Sequence, residues 1–162
     1  ASLKEILHLE DAGASAVNDF TYLGHPSTYL LGDDEVVGVF DALDHAIANR
    51  PDVYWLVELA DGIEQRETAM LLASPSVTGR IHTLVFCARD PLGVRGGIEV
   101  LRQRYGLRPD VIAGLVGGAP LGRREVADGG IDLPVINALD PADYPLLVDA
   151  VTALRPEALV SA

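Results

Sequence analysis

Four stretches of the chain are almost continuously apolar: VYWLVEL (53–59), IHTLVFCA (81–88), DVIAGLVG (110–117) and LPVINAL (133–139). They lack strict apolar–polar alternation, which is the pattern of strands covered on both faces in a parallel sheet. A shorter segment, SAVNDF (15–20), predicts a fifth strand. Between the strands the pattern turns helical. In DDEVVGVFDALDHAIANR (33–50), Val36, Phe40, Leu43 and Ile47 fall on one face, and three acids open the helix where its dipole favours negative charge. Further helices are predicted at the N-terminal ASLKEILHLEDAG and over 62–73, 93–105, 120–128 and 141–154. Pro75, Pro91, Pro109, Pro120, Pro134 and Pro141 mark the boundaries. Strands alternating with helices imply βα units with right-handed crossovers. The expected fold class is therefore α/β: a three-layer α/β/α sandwich with a mostly parallel sheet of about five strands, P-loop NTPase-like or Rossmann-like.

In such sheets ligands bind outside the carboxyl ends of the strands. The noticeable polar residues fall there: Asp19, Glu58 with Asp61, Arg89 with Asp90, Gly117-Gly118, and Asn137 with Asp140. Parallel strands would gather Asp19, Glu58, Asp61 and Asp90 around one crevice. A carboxylate ending an apolar strand suits Mg²⁺, which takes hard oxygen ligands from one or two carboxylates, water and phosphate. Glu58 and Asp61 are thus the expected metal ligands and catalytic acids. Asp61 could equally cap the following helix, with Glu64 as its capping-box partner. The loop TYLGHPSTYLLG (21–32) offers His25, Ser27 and Thr28 to a polar substrate, beside Asp19; the alternative is a Pro-anchored turn with its tyrosines packed on the sheet. Gln65 and Arg66, in the first turns after Asp61, suit an anion at a helix N-terminus. The competing reading of Gln65–Thr68 is an exposed helix face with internal ion pairs.

Composition narrows the classes. The chain has 162 residues, 49% of them hydrophobic, and a mean hydropathy of +0.23, so one domain spanning 1–162 with a real core is expected. No apolar run reaches the roughly 18 residues that span a membrane. The N-terminal stretch has no signal-peptide core, and a cytoplasmic location is the default expectation. A net charge of −12 disfavours nucleic acid and anionic membrane as partners. The single cysteine, Cys87, excludes an internal disulfide and a Cys-rich metal site; inside a strand it should be a buried thiol. The twelve basic residues comprise eleven arginines and Lys4 alone, with no GxxxxGK[ST] phosphate loop. GxGxxG and GxSxG are also missing.

Three segments carry a resemblance: DAGASAVNDFTYLGHPSTYLL, VELADGIEQRETAMLL and the strand ending in ARDPLG. Together they resemble the C-terminal part of a P-loop NTPase-like family, over roughly residues 5–140. They are similar to DUF1611 C-terminal domains and more distantly to dethiobiotin synthetase and molybdopterin-guanine dinucleotide biosynthesis adaptor proteins. The most specific pieces are D-F-T-x-x-G-x-P-S-T-Y and ADG-x-x-QRET. The resemblance implies that Glu58 and Asp61 stand at magnesium-side acids and that Asp19 to Tyr29 form a substrate-side loop. It implies Mg²⁺ with ATP or GTP as cofactors, and a small metabolite as ligand. The chain departs from the family in its missing strand, phosphate loop and helix. It is then expected to be the distal portion of a larger nucleotide-binding domain, with weak or no activity by itself. It would be a homo-oligomer or associate with an N-terminal segment that covers an exposed strand edge. The alternative is a non-catalytic α/β assembly module or small-molecule-binding module.

Overall fold

Residues 3–47 and 53–153 are described by a computed structural model, in two units, Ala1–Thr78 and Gly79–Ala162. The predicted helix ends at 1–2, 48–50 and 154 lie outside the described residues.

The first unit is helical. Helix α1 spans Leu3–Asp11, and a 3-10 turn, Phe20–Leu23, follows an irregular stretch. Helix α2, Asp33–Ile47, buries Val36, Val39 and Phe40, close to the face that its period predicts. Glu35 reaches back to accept from the Gly32 N–H at 2.8 Å, so an acid of the first turn closes the helix start. Helix α3, Arg66–Ala73, and the short α4, Pro75–Thr78, pack with α2 around Leu72 and Val77.

The second unit carries the sheet. Strand β1, Val85–Cys87, pairs in parallel with β2, Val111–Ala113, with Phe86 opposite Ile112. A third extended stretch joins at a single parallel bridge, Ile112 to Val135. Between them run α5 (Pro91–Tyr105), α6 (Leu115–Gly118) and α7 (Pro120–Asp128); α8 is Tyr144–Thr152. Side chains alternate across a strand. Ile112 accordingly packs with Val94, Val116 and Val126, while its neighbours Val111 and Ala113 pack with Ile136 and partly buried Leu147 and Ala150.

The fold class differs from expectation. Among the described residues there is one sheet of two strands, not a three-layer sandwich around five. Two of the runs are cut short by a residue of their own, Gly114 and Pro134. VYWLVEL has no regular secondary structure and joins no ladder, and Tyr54, Leu56 and Val57 are exposed. SAVNDF is irregular up to Phe20, where the 3-10 turn begins. DVIAGLVG stops being a strand after three residues, because Gly114 turns at φ 93°. A Cβ there would lie 2.6 Å from the Ala88 carbonyl oxygen, so glycine is required. LPVINAL contains Pro134, which has no N–H to offer a ladder. An apolar run shows that a segment is greasy, but not whether it is extended or which strand pairs with it. Cys87, the last residue of β1, is exposed, not buried as predicted. No helix among the described residues is long and apolar enough to cross a membrane.

Candidate functional site

Six of the eight predicted site residues are held in local structure in the first unit. Asp19 caps the 3-10 turn: its Oδ1 accepts from Thr21 N–H at 2.8 Å and from the Thr21 hydroxyl at 2.5 Å. Ser27 Oγ accepts from Tyr29 N–H at 3.0 Å, and the Thr28 carbonyl accepts from Leu31 N–H at 3.2 Å. These two bonds fold 27–31 into a tight turn that ends on Leu30, which has a left-handed φ of 64°. That conformation costs a non-glycine residue about 1–3 kcal/mol. His25 is half-buried and lines a shallow cavity of about 220 Å³ with Leu23, Glu35, Gly38, Val39 and Ala42.

The start of α3 differs from the predicted capping box. Asp61 takes a left-handed φ of 67°, and a turn closes from Gln65 N–H to the Gly62 carbonyl. The helix therefore begins at Arg66, not at 62. Gln65 is its cap: Oε1 accepts from Thr68 N–H at 2.9 Å, so the capping role weighed for Asp61 falls to Gln65. Asp61 and Glu58 are both exposed, so the strand-end crevice expected to gather them with Asp19 and Asp90 is not built from a common sheet. Asp90 lies in the second unit, where it caps α5 by accepting from Gly93 N–H. Among the described residues, no three or more His, Cys, Asp or Glu side chains are grouped to hold a metal.

The residue that organises this region is Glu67. The reading of Gln65–Thr68 as an exposed face with internal ion pairs holds for the Arg66–Glu67 pair but not for the exposure: Glu67 is 4% exposed and Thr68 6%. Glu67 Oε1 accepts from Leu30 N–H at 2.8 Å and from Arg66 Nη1 at 3.1 Å. Glu67 Oε2 accepts from Gln65 Nε2. Arg66 Nη1 also donates to the Leu31 carbonyl at 2.9 Å, and the Thr68 hydroxyl donates to the Ala60 carbonyl at 2.8 Å. The first turn of α3 thus ties down both the turn at 27–31 and Ala60, just before Asp61. The Leu30 N–H holds the Glu67 carboxyl below its ordinary 4.5, against the opposing effect of burial; Gln65 and Arg66 add to the lowering. The Arg66 side chain is 50% exposed, anchored at one nitrogen.

A second buried carboxylate lies in the other unit, and the sequence did not single it out. Asp143 accepts from Asn137 N–H at 2.7 Å and from both terminal nitrogens of Arg123, whose Nε donates to the Gly117 carbonyl at 2.6 Å. Arg123 lowers the Asp143 pKa, and Asp143 raises that of Arg123. The signal available was the preference for arginine over lysine, since only a planar guanidinium makes this forked contact. A wider groove of about 470 Å³ lies along α5 and α7, lined by Asp90, Arg95, Glu125 and Asp128, but Arg95 is turned to the Glu125 carbonyl. Among the described residues no buried polar side-chain atom lacks a partner.

Comparison with protein-family models, with curated proteins and with solved structures gives no match for this chain.

Proposed function

We propose that the chain supplies the metabolite side of a magnesium-dependent, nucleotide-using enzyme of the P-loop NTPase-like class. One observation carries the reading. The two motif segments behind the resemblance are far apart in sequence but bound to each other in the first unit. Glu67 and Arg66 of the QRET segment bind Leu30 N–H and the Leu31 carbonyl, directly after the P-S-T-Y segment. A buried ionised network used to fix a polar surface loop is how binding loops are made rigid.

In this reading Ser27, Thr28 and His25 meet a small carboxylate or amine. Arg66, anchored at Nη1, meets an anion through its exposed part, as a pre-positioned guanidinium does. Gln65 is a positioning residue, because both ends of its amide are engaged. The exposed carboxylates of Glu58 and Asp61 are oxygen donors of the kind Mg²⁺ takes, and they would hold it beside a nucleotide phosphate. The missing GxxxxGK[ST] means that this chain alone does not cradle the phosphates.

Two measurements test this. Calorimetry should show no micromolar binding of MgATP or MgGTP by this chain alone. A thermal-shift screen of small carboxylates and amines should find compounds that raise the melting temperature, and Ser27→Ala and Arg66→Ala should remove the rise. The reading is wrong if no compound stabilises the chain, or if stabilisation survives both substitutions.

A further inference from the structure

We propose that Glu67 is a latch for residues 26–32. Its buried carboxylate holds Leu30 in the left-handed conformation, and the loop changes backbone state when that carboxylate is neutralised or removed. The link from this latch to ligand binding rests on the function proposed above. The latch itself stands on geometry.

Leu30 is the anomaly that needs a cause. It is apolar, 68% exposed and left-handed, so its own side chain contributes little to holding a backbone that L-residues avoid. What holds it lies 37 residues away in sequence: its N–H is bound by Glu67 Oε1, and the next carbonyl is bound by Arg66. Both bonds come from adjacent residues of one helical turn, so one short piece of α3 holds both backbone groups. Only an ionised carboxylate satisfies the donors present. Leu30 N–H and Arg66 Nη1 converge on one oxygen while Gln65 Nε2 takes the other. A protonated acid or a glutamine at 67 would turn a hydrogen towards one of these donors. Once the bond to Leu30 is lost, only the Leu31 N–H to Thr28 carbonyl bond and the Arg66 contact to the Leu31 carbonyl oppose the return of the strained φ to the extended region, and Thr28 and Ser27 move with the turn. Arg66 lies on its own helix, and the packed helix α2 carries Asp33, Asp34, Glu35, Asp41, Asp44 and His45, of which Glu35 is turned to Gly32 N–H. Helix α4 carries none.

Amide hydrogen exchange on the whole chain reads the latch directly. In Glu67→Gln, the Leu30 amide should lose at least tenfold of its protection, and the backbone signals of 28–32 should shift. Amides in the middle of α2 and α3 should keep theirs. Adding Leu30→Asn should restore part of the native loop signals, because asparagine tolerates the left-handed region. If Glu67→Gln does not fold, the native chain is titrated instead. The Leu30 and Leu31 amides should then move together in one transition below pH 4.5 while α2 and α3 stay folded. Unchanged Leu30 protection in a folded Glu67→Gln overturns the proposal. So does a loss spread evenly over loop and helices, or a Leu30 amide that moves only when the unit unfolds. A working latch in a chain that binds no metabolite would sink the proposed function alone.

Discussion

Two buried carboxylates, Glu67 and Asp143, carry most of the chemistry visible at the residue scale, and neither was in the predicted site. Both are held below their ordinary pKa, by the Leu30 N–H in one case and by Arg123 in the other. The folded chain therefore binds fewer protons than the unfolded chain in the acid range. Their stabilisation is complete above the ordinary values of 4.5 and 3.8 and is lost as pH falls through the lowered values. Melting temperature measured from pH 7 down to 3 should drop steeply below about 4.5 in the native chain. Glu67→Gln and Asp143→Asn should each start lower at pH 7 and flatten that acid limb. Asp143→Asn places an amide against the Arg123 fork and Asn137 N–H, so its melting temperature should fall by several degrees even at neutral pH. A variant profile that matches the native chain's, with the same value at pH 7 and the same acid limb, would show that the carboxylate contributes nothing by being ionised. From sequence alone Glu67 belonged to a first-turn cluster read as an anion site or as an exposed helix face with internal ion pairs. Its burial depends on a loop 37 residues upstream, which no local pattern reports.

Helices were more legible than strands because a helix satisfies its own backbone, whereas a strand is defined by a neighbour. The predicted segments at 33–50, 93–105, 120–128 and 141–154 correspond to α2, α5, α7 and α8. Of the five predicted strands, two survive as three-residue strands and one as a single bridge. Helix α5 offers a sharp test, since adjacent glycines face different surroundings. Gly96 is exposed with open space where a Cβ would go, so Gly96→Ala should stabilise by about 0.5–1 kcal/mol. At Gly97 a Cβ would lie 2.1 Å from the Phe86 ring, which is packed against the core, so Gly97→Ala should cost about 1–3 kcal/mol. Denaturant melts of the two variants should move in opposite directions. Equal shifts would mean that the Phe86 packing against α5 is wrong.

At the scale of the whole molecule, the charge of −12 on 162 residues is the dominant feature. Such a surplus repels itself, and salt screens it within about 10 Å at 0.1 M. The melting temperature at pH 7 should therefore rise between low salt and 0.3 M sodium chloride, as calorimetry can check. A fall would mean that specific ion pairs outweigh the general repulsion. The sequence by itself determined the charge, the helical periods, the missing phosphate loop and a polar segment at 21–32, because each depends only on residues near one another in the chain. The tertiary structure alone decided that the apolar runs build two short strands, that Gln65 in place of Asp61 caps α3, and that a buried Glu67 grips a left-handed Leu30. These depend on which distant backbone groups meet, and a linear pattern of polarity holds no record of which donor finds which acceptor.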